Sequence, residues 1–444
     1  MTLNHTATNQ APLRTRPGRV EASSGRRLSR LLLYAHDTYG LGHLRRNLAI
    51  ATHLMRSTEQ LQIVLVSGSP VAGRFPMPHG LSLVSLPPVV KVAPEEYVPR
   101  DEHIGFGVVS RARAAIIADV ARRFQPDALL VDHAPLGMKG ELLPTFDVLR
   151  RHLPETRVVL GLRDILDDPD TVRRTWAEQG VLDVLANVYD RILVYGSPDL
   201  LDVGTAYGIP VRLRSRITYC GYVAHESDEQ AAEGFGSAGS SRQLGLTRGS
   251  YVVGTAGGGE DGVALLRATL RAAAALDVEC LLVAGPLMPP NVREGLANDA
   301  AATGRARVVE FVPDLQRIMA GAAAIVTMGG YNTLCEAVAT GVPTVVVPRT
   351  WPRREQAIRA GLFAGRGLVR VVDPGDDLAE RLVAPLESAR RDGRRTVPGI
   401  DLDGAHRVRR ALLDEVARPR ANRLGVHDDR EAGASRTRPQ LVPA

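Results

Sequence analysis

Residues 322–361, AAAIVTMGGYNTLCEAVATGVPTVVVPRTWPRREQAIRAG, constrain the fold more than any other stretch of the chain. An apolar run at 324–328 ends in Gly329-Gly330. Asn332 and Thr333 then open an amphipathic segment that closes at Gly341, and a second apolar run fills 343–347. The order is strand, glycine turn, helix, strand: a βαβ unit whose loop lies at the carboxyl end of a strand, where open α/β sheets take their ligands. Two glycines let a ligand approach the backbone, and first-turn N–H groups of the following helix point at an anion, phosphate being the leading candidate. Thr333 with Glu336 also fits a capping box, in which Glu336 only satisfies a backbone N–H. The segment alone leaves both roles of Glu336 open.

The first half follows the same plan. Residues 28–35 read as a buried parallel strand. The loop HDTYGLGH, with Gly40 and Gly42, follows it, and then a helix over 44–55 with Leu44, Leu48, Ala51 and Met55 on its buried face. His43 and Arg45 fall at the amino end of that helix, where the dipole favours a neutral, proton-accepting imidazole. Further strands are expected at 62–66, 81–86, 128–132, 157–162 and 191–195, with helical patterns between several of them, which predicts a mainly parallel, doubly wound sheet. Asp132-His133, Arg163-Asp164 and Gly196-Ser197 close three of these runs and face the crevice. His43, Asp132 and Asp164 are therefore three candidate general bases. Residues 88–105 read as a long loop able to cover the site.

From 225 to 249 the composition turns to Gly, Ser, Glu and Gln without apolar periodicity, as expected of a linker. A new strand at 251–255 then leads through AGGGEDG into a helix over 263–275, and strands fit 279–284, 307–311, 324–327, 343–347 and 368–372. The chain thus divides into a basic disordered tail (1–27), a first α/β domain (28–224), the linker, a second α/β domain (250–400), a terminal helix (401–418) and a second disordered tail (419–444). A cleft between the two domains is implied.

At 444 residues the chain exceeds what a single core supports. Its net charge of +6 sits in the tails: setting aside residues 1–30 and 419–444 leaves 44 basic against 45 acidic residues. A near-neutral body argues against nucleic acid as a partner, while the tails leave peripheral contact with anionic lipid open. No apolar run is long enough to span a membrane. Three widely spaced cysteines, Cys220, Cys280 and Cys335, give neither a disulfide framework nor a metal-ligand spacing, so a reducing, cytoplasmic location is expected. The chain lacks GxGxxG, a P-loop lysine and a GxSxG elbow, and Asp168-Pro169-Asp170 reads as a turn and helix cap rather than a metal site.

In combination these motifs resemble the MurG-type N-acetylglucosaminyltransferases and, more closely, the uncharacterised predicted glycosyltransferases related to them, all of the GT-B fold. The resemblance rests on GLGHLRRNLAIA at 40–51, TAGGGEDG at 255–262, VVEFVPDLQRIM at 308–319 and the stretch 325–361, with VLGLRDILDDPDTVRRTW at 159–176 looking like a mark of the less characterised group. It extends over about 31–390. It implies two Rossmann-like domains facing a cleft and a metal-independent, inverting transfer of a sugar, N-acetylglucosamine in MurG itself, from a UDP-sugar to an unknown acceptor, lipid-linked or a small metabolite. No cofactor beyond the UDP-sugar substrate is implied. Gly257, Gly258 and Gly259 would lie near the diphosphate. Main-chain atoms around Val312 would read uracil, Gly329 and Gly330 would approach the phosphates beside Asn332 and Thr333, and Glu336 would hold the ribose. Gly40, Gly42 and Arg45 would form a phosphate or acceptor loop, and His43 would be the base. Gln356 would contact the sugar. Where the family commonly has two adjacent glutamines, this chain has Glu355-Gln356, which removes amide donors and leaves the donor sugar open. Two other outcomes share these features: a UDP-sugar hydrolase of the pseudaminic-acid pathway type, and a non-catalytic nucleotide-sugar-binding partner subunit. UDP-sugar 2-epimerases share the fold alone.

Overall fold

A computed structural model describes residues 26–37, 41–58, 60–75, 77–93, 96–101, 103–224, 244–312, 314–394 and 400–419. Residues 1–25 and 420–444 of the two tails, most of the linker and Gly40 lie outside the described residues.

Short runs of Leu, Val and Ile, apolar on both faces, form the strands of two separate parallel sheets. In the first, β1 (Arg30–Ala35), β2 (Gln62–Ser67), β3 (Leu81–Ser85), β6 (Ala128–Asp132), β7 (Arg157–Arg163), β8 (Arg191–Tyr195) and β9 (Ile217–Tyr219) stand in the order β3-β2-β1-β6-β7-β8-β9. Leu31, Leu32 and Leu33 of β1 are fully buried because helices cover both faces. The second sheet uses β10 (Tyr251–Thr255), β11 (Glu279–Val283), β12 (Ala306–Val309), β13 (Ala324–Thr327), β14 (Thr344–Val346) and β15 (Arg370–Val371), in the order β12-β11-β10-β13-β14-β15. Strand order reverses between β1 and β6 in one sheet and between β10 and β13 in the other. Those switch points open a crevice at the carboxyl ends of the strands, and the two crevices face each other.

Helices α1 (Gly42–Ser57) and α2 (Phe106–Phe124) flank the first sheet; α3 (Val263–Ala275), α4 (Tyr331–Ala339) and α5 (Glu355–Gly365) belong to the second. One apolar cluster crosses the domain boundary, joining Leu44 and Leu48 of α1 to Tyr331, Leu334 and Cys335 of α4 and Phe363 of α5. Each fully buried Leu or Phe in it contributes roughly 1.5–3 kcal/mol relative to exposure. The domains therefore share a core on one side of the cleft.

Three features depart from the sequence reading. Residues 88–105 are not a plain loop: β4 (Val89–Ala93) and β5 (Glu96–Pro99) pair as an antiparallel hairpin, anchored because Val89 and Tyr97 bury against Val109 and Met138. The run at 368–372 supplies only a two-residue edge strand. The terminal helix α6 (Gly404–Ala417) returns to the first domain, where Glu415 accepts from Arg191 at 2.9 Å and Arg409 donates to the Ser57 carbonyl at 2.9 Å. The three cysteines are free and buried, and among the described residues no helix is long and apolar enough to cross a membrane.

Candidate active site

On the second-domain wall, two glycine loops lie side by side because their strands, β10 and β13, are paired neighbours. Gly257, Gly259 and Gly329 have φ of +64°, +97° and +80°, a region that side chains other than glycine's rarely enter. At Gly259 a Cβ would also sit 2.3 Å from the Ala284 carbonyl oxygen. Gly330, as the N-cap of α4, has open space around its Cα. Phe311, Val312 and Leu315 line one end of the cleft, while Arg349, Glu355 and Gln356 line another part of it. The Arg349 amide donates to Gln356 Oε1 at 3.1 Å, which leaves the Gln356 NH2 group to meet another acceptor.

Glu336 is not part of a capping box: α4 begins at Tyr331 and has no side-chain cap hydrogen bond. Its Oε1 accepts instead from Arg45 Nη2 of α1 at 2.5 Å, and Asn332 Nδ2 donates to the Gly42 carbonyl at 2.9 Å. Arg45 thus reaches a carboxylate across the cleft rather than standing free. Glu336 Oε2, Asn332 Oδ1 and Glu355 Oε2 are buried acceptors with no partner. Leaving a buried acceptor unpaired costs about 1–3 kcal/mol; Asn332 and Glu355 line the cleft and suit a ligand with hydroxyl donors, whereas Glu336, expected to hold the ribose, is buried beside them and is not among the lining residues.

The three candidate bases occupy different environments. Asp132, at the end of β6, accepts from Arg46 Nε at 3.0 Å and Nη2 at 2.6 Å, and its Oδ2 is 2.7 Å from His43 Nδ1. Burial opposes its ionisation, but Arg46 and His43 hold the carboxyl at about 2. With Nδ1–H donated to that carboxylate, His43 Nε2 is the acceptor nitrogen. Burial pulls the imidazole down to about 4 against the lifting effect of Asp132, with Arg46 and Arg163 adding to the depression. His43 is therefore neutral near pH 7, and burial is the main cause. Asp164, at the end of β7, is committed elsewhere: Arg359 of α5 grips both its oxygens, at 2.7 and 2.9 Å, an interdomain fork that leaves it little capacity as a base.

Of the three candidate bases only His43 lines the cleft; Asp132 and Asp164 lie behind Arg46 and Arg359, which do. Beside the cleft lies a second, open hollow, bounded mostly by the first domain through His36, His133, Tyr97, Trp176 and Arg174 and by Arg353 of the second. The His43 ring lies 5.0 Å from that of His133 and 5.9 Å from that of His36, so the proposed base stands where the hollows meet. Of the described residues in 88–105, the stretch expected to cover the site, Tyr97 lines this hollow; the rest comes from His36, the loops after β6 and β7, the helix at Pro169–Glu178 with Gln179, and residues 352–353. Arg46, Arg349 and Arg359 are site residues that the sequence reading passed over. Arg46 had one local signal, its spacing of three from His43, which puts both on one helix face. Among the described residues no three His, Cys, Asp or Glu side chains group to hold a metal ion.

Residues 280–397 match the glycosyltransferase family 28 C-terminal domain. Two similar proteins, from Corynebacterium efficiens and Cutibacterium acnes, carry the name UDP-N-acetylglucosamine–N-acetylmuramyl-(pentapeptide) pyrophosphoryl-undecaprenol N-acetylglucosamine transferase. The first is 35% identical over 78 residues, 18% of this chain and 22% of its own length. The second is 28% identical over 276 residues, 58% of this chain and 69% of its own length. The chain thus spans about a fifth of the first relative and about two thirds of the second. A putative UDP-N-acetylglucosamine 2-epimerase from Listeria monocytogenes superposes with a TM-score of 0.56 at 14% identity, covering 88% of this chain and 98% of its own, a likeness of fold alone. The chain is MurG-like in sequence and has the GT-B fold.

Proposed function

We propose that this chain is an inverting glycosyltransferase that moves a sugar from a UDP-sugar to a hydroxyl acceptor, with N-acetylglucosamine suggested as the sugar by the names of its relatives. The observation that carries the reading is the position of His43, backed by Asp132 and Arg46, in one cleft with two glycine loops and the unpartnered acceptors of Asn332 and Glu355. The diphosphate rests on the loops at Gly257–Gly259 and Gly329-Gly330 and on the amino end of α4. Ribose hydroxyls donate to Glu336 Oε2, main-chain atoms near Val312 meet the uracil, and Glu355 with Gln356 holds the sugar.

The acceptor enters from the hollow beside His36 and His133. Its hydroxyl gives its proton to His43 Nε2 as its oxygen bonds to the anomeric carbon. The bond from that carbon to the diphosphate breaks on the opposite face, its electron pair leaving with UDP, which inverts the centre. Asp132 keeps the imidazole in the accepting tautomer and stabilises the imidazolium that forms. Backbone amides meet the charge growing on the leaving group without a required metal ion. UDP release from UDP-N-acetylglucosamine, measured with and without lipid and small-molecule fractions of a cell extract, tests the reading. Release that rises with a fraction and is lost in His43→Ala supports it; free sugar formed at full rate without any acceptor contradicts it.

A further inference from the structure

The cleft wall contains five arginines, and four are spent on the protein itself. Arg45 pairs with Glu336, Arg46 with Asp132, Arg349 with Asp261 and Glu355, and Arg359 with Asp164. The fifth, Arg163, lines the same cleft at the carboxyl end of β7. Among the described residues lining the cleft it is the arginine without a carboxylate or hydrogen-bond partner, and its Nε is sealed from solvent with nothing to donate to. Burial pulls it down to about 10, with Arg46, Arg359 and Arg353 adding to the effect and Glu355 opposing it. A guanidinium held in that state is destabilising for the empty protein and becomes favourable when an anion arrives.

We propose that Arg163 is the side chain that neutralises the donor's leaving group, donating its N–H fork to the diphosphate. The inference rests on the nucleotide-sugar reading of the cleft. On that reading the uracil, the ribose and a hydroxylated sugar are uncharged, so the diphosphate is the one part of the donor that calls for a cation. The paired arginines cannot answer without breaking ion pairs to buried carboxylates, whereas Arg163 feels the Glu355 charge but, among the described residues, makes no ion pair or hydrogen bond that it would have to break. It lines the same cleft as His43 and Glu355, and its charge acts on both. As the anomeric C–O bond breaks and its electrons pass to the diphosphate, the fork strengthens, while the proton from the acceptor is already on His43. The same cation helps hold His43 neutral before reaction, so one residue serves both partners of the displacement.

Calorimetric titration of UDP and of uridine into the wild type, Arg163→Gln and Arg163→Lys tests this, since the two ligands differ only in the diphosphate. In Arg163→Gln, UDP affinity is expected to fall roughly 10- to 100-fold, the value of hydrogen bonds to a charged group, while uridine affinity stays within about twofold. Arg163→Lys keeps the charge without the fork and should recover part of the loss. Arg163→Gln that binds UDP as the wild type does overturns the inference and leaves the donor reading intact. Wild-type protein that binds neither ligand removes both. Should Arg163→Gln lose uridine as well, through misfolding, Arg163→Lys decides: an unchanged preference for UDP over uridine overturns the proposal.

Discussion

The two walls of the cleft are built on opposite plans. The second-domain wall presents backbone: two glycine loops, the amino end of a helix, and carboxylate and amide oxygens left without partners. The first-domain wall presents side chains already tied to one another, with His43, Asp132 and Arg46 forming a closed buried cluster. The second wall, together with Arg163 on the first, is incomplete until a ligand fills it; the His43–Asp132–Arg46 cluster is tied together beforehand. The difference suits a division of labour in which that cluster must hold its geometry through the reaction, while the second wall and Arg163 accept and release a nucleotide.

If the walls divide the work in this way, substitutions should split cleanly between rate and binding. The largest effect is expected at His43→Ala, which removes the proton acceptor and should lower kcat by about 10²–10⁴-fold with little change in UDP affinity; single-turnover kinetics beside calorimetry would separate the two. Glu336→Ala should do the reverse, weakening UDP by roughly tenfold or more through the lost ribose bonds and the released Arg45. Parallel losses of rate and affinity in both variants would merge the walls into one functional unit and break the comparison.

Acidity sharpens the contrast further. With the His43 imidazole held down at about 4, kcat/KM should stay level from neutral pH to about 5 and fall only as pH approaches 4. The folded imidazole lies below its unfolded value of about 6.5, so the unfolded chain binds the extra proton and stability drops as pH falls from about 6.5 to 4. Asp132, depressed to about 2, adds stability that is lost as pH falls through about 3.8 toward 2. Removing Asp132 as Asp132→Asn takes away the lift on His43 and should shift the acid limb downward. The smallest effect is expected from a chelator: with the leaving group on backbone amides and an arginine, EDTA should change the rate by less than about twofold.

How much of this was legible in the sequence follows from how local each signal is. The glycine loops and the strands feeding them are periodic and contiguous, so their βαβ arrangement can be read from 322–361 and 251–275 directly. The hairpin at Val89–Pro99 was not, because its alternation is short and its burial depends on Met138 and Val109, distant in sequence. Likewise α6 looks like an appendage of the second domain until Arg191, some 220 residues earlier, receives Glu415. The roles of Arg45, Arg359 and Glu336 are set by contacts across the cleft, and Thr333 with Glu336 imitates a capping box that the helix start rules out. The neutral state of His43 was expected from its helix terminus, yet burial is what chiefly produces it.

Ligand-induced thermal stabilisation with UDP, GDP and TDP, all at one concentration about 100 times the dissociation constant for UDP, tests the donor reading directly. UDP is expected to stabilise the protein by about 2.7 kcal/mol, a shift of a few degrees, and GDP and TDP by much less. Folded protein whose melting temperature does not move with any of the three nucleotides would contradict it, because the glycine loops and unpartnered acceptors would then have no donor to serve.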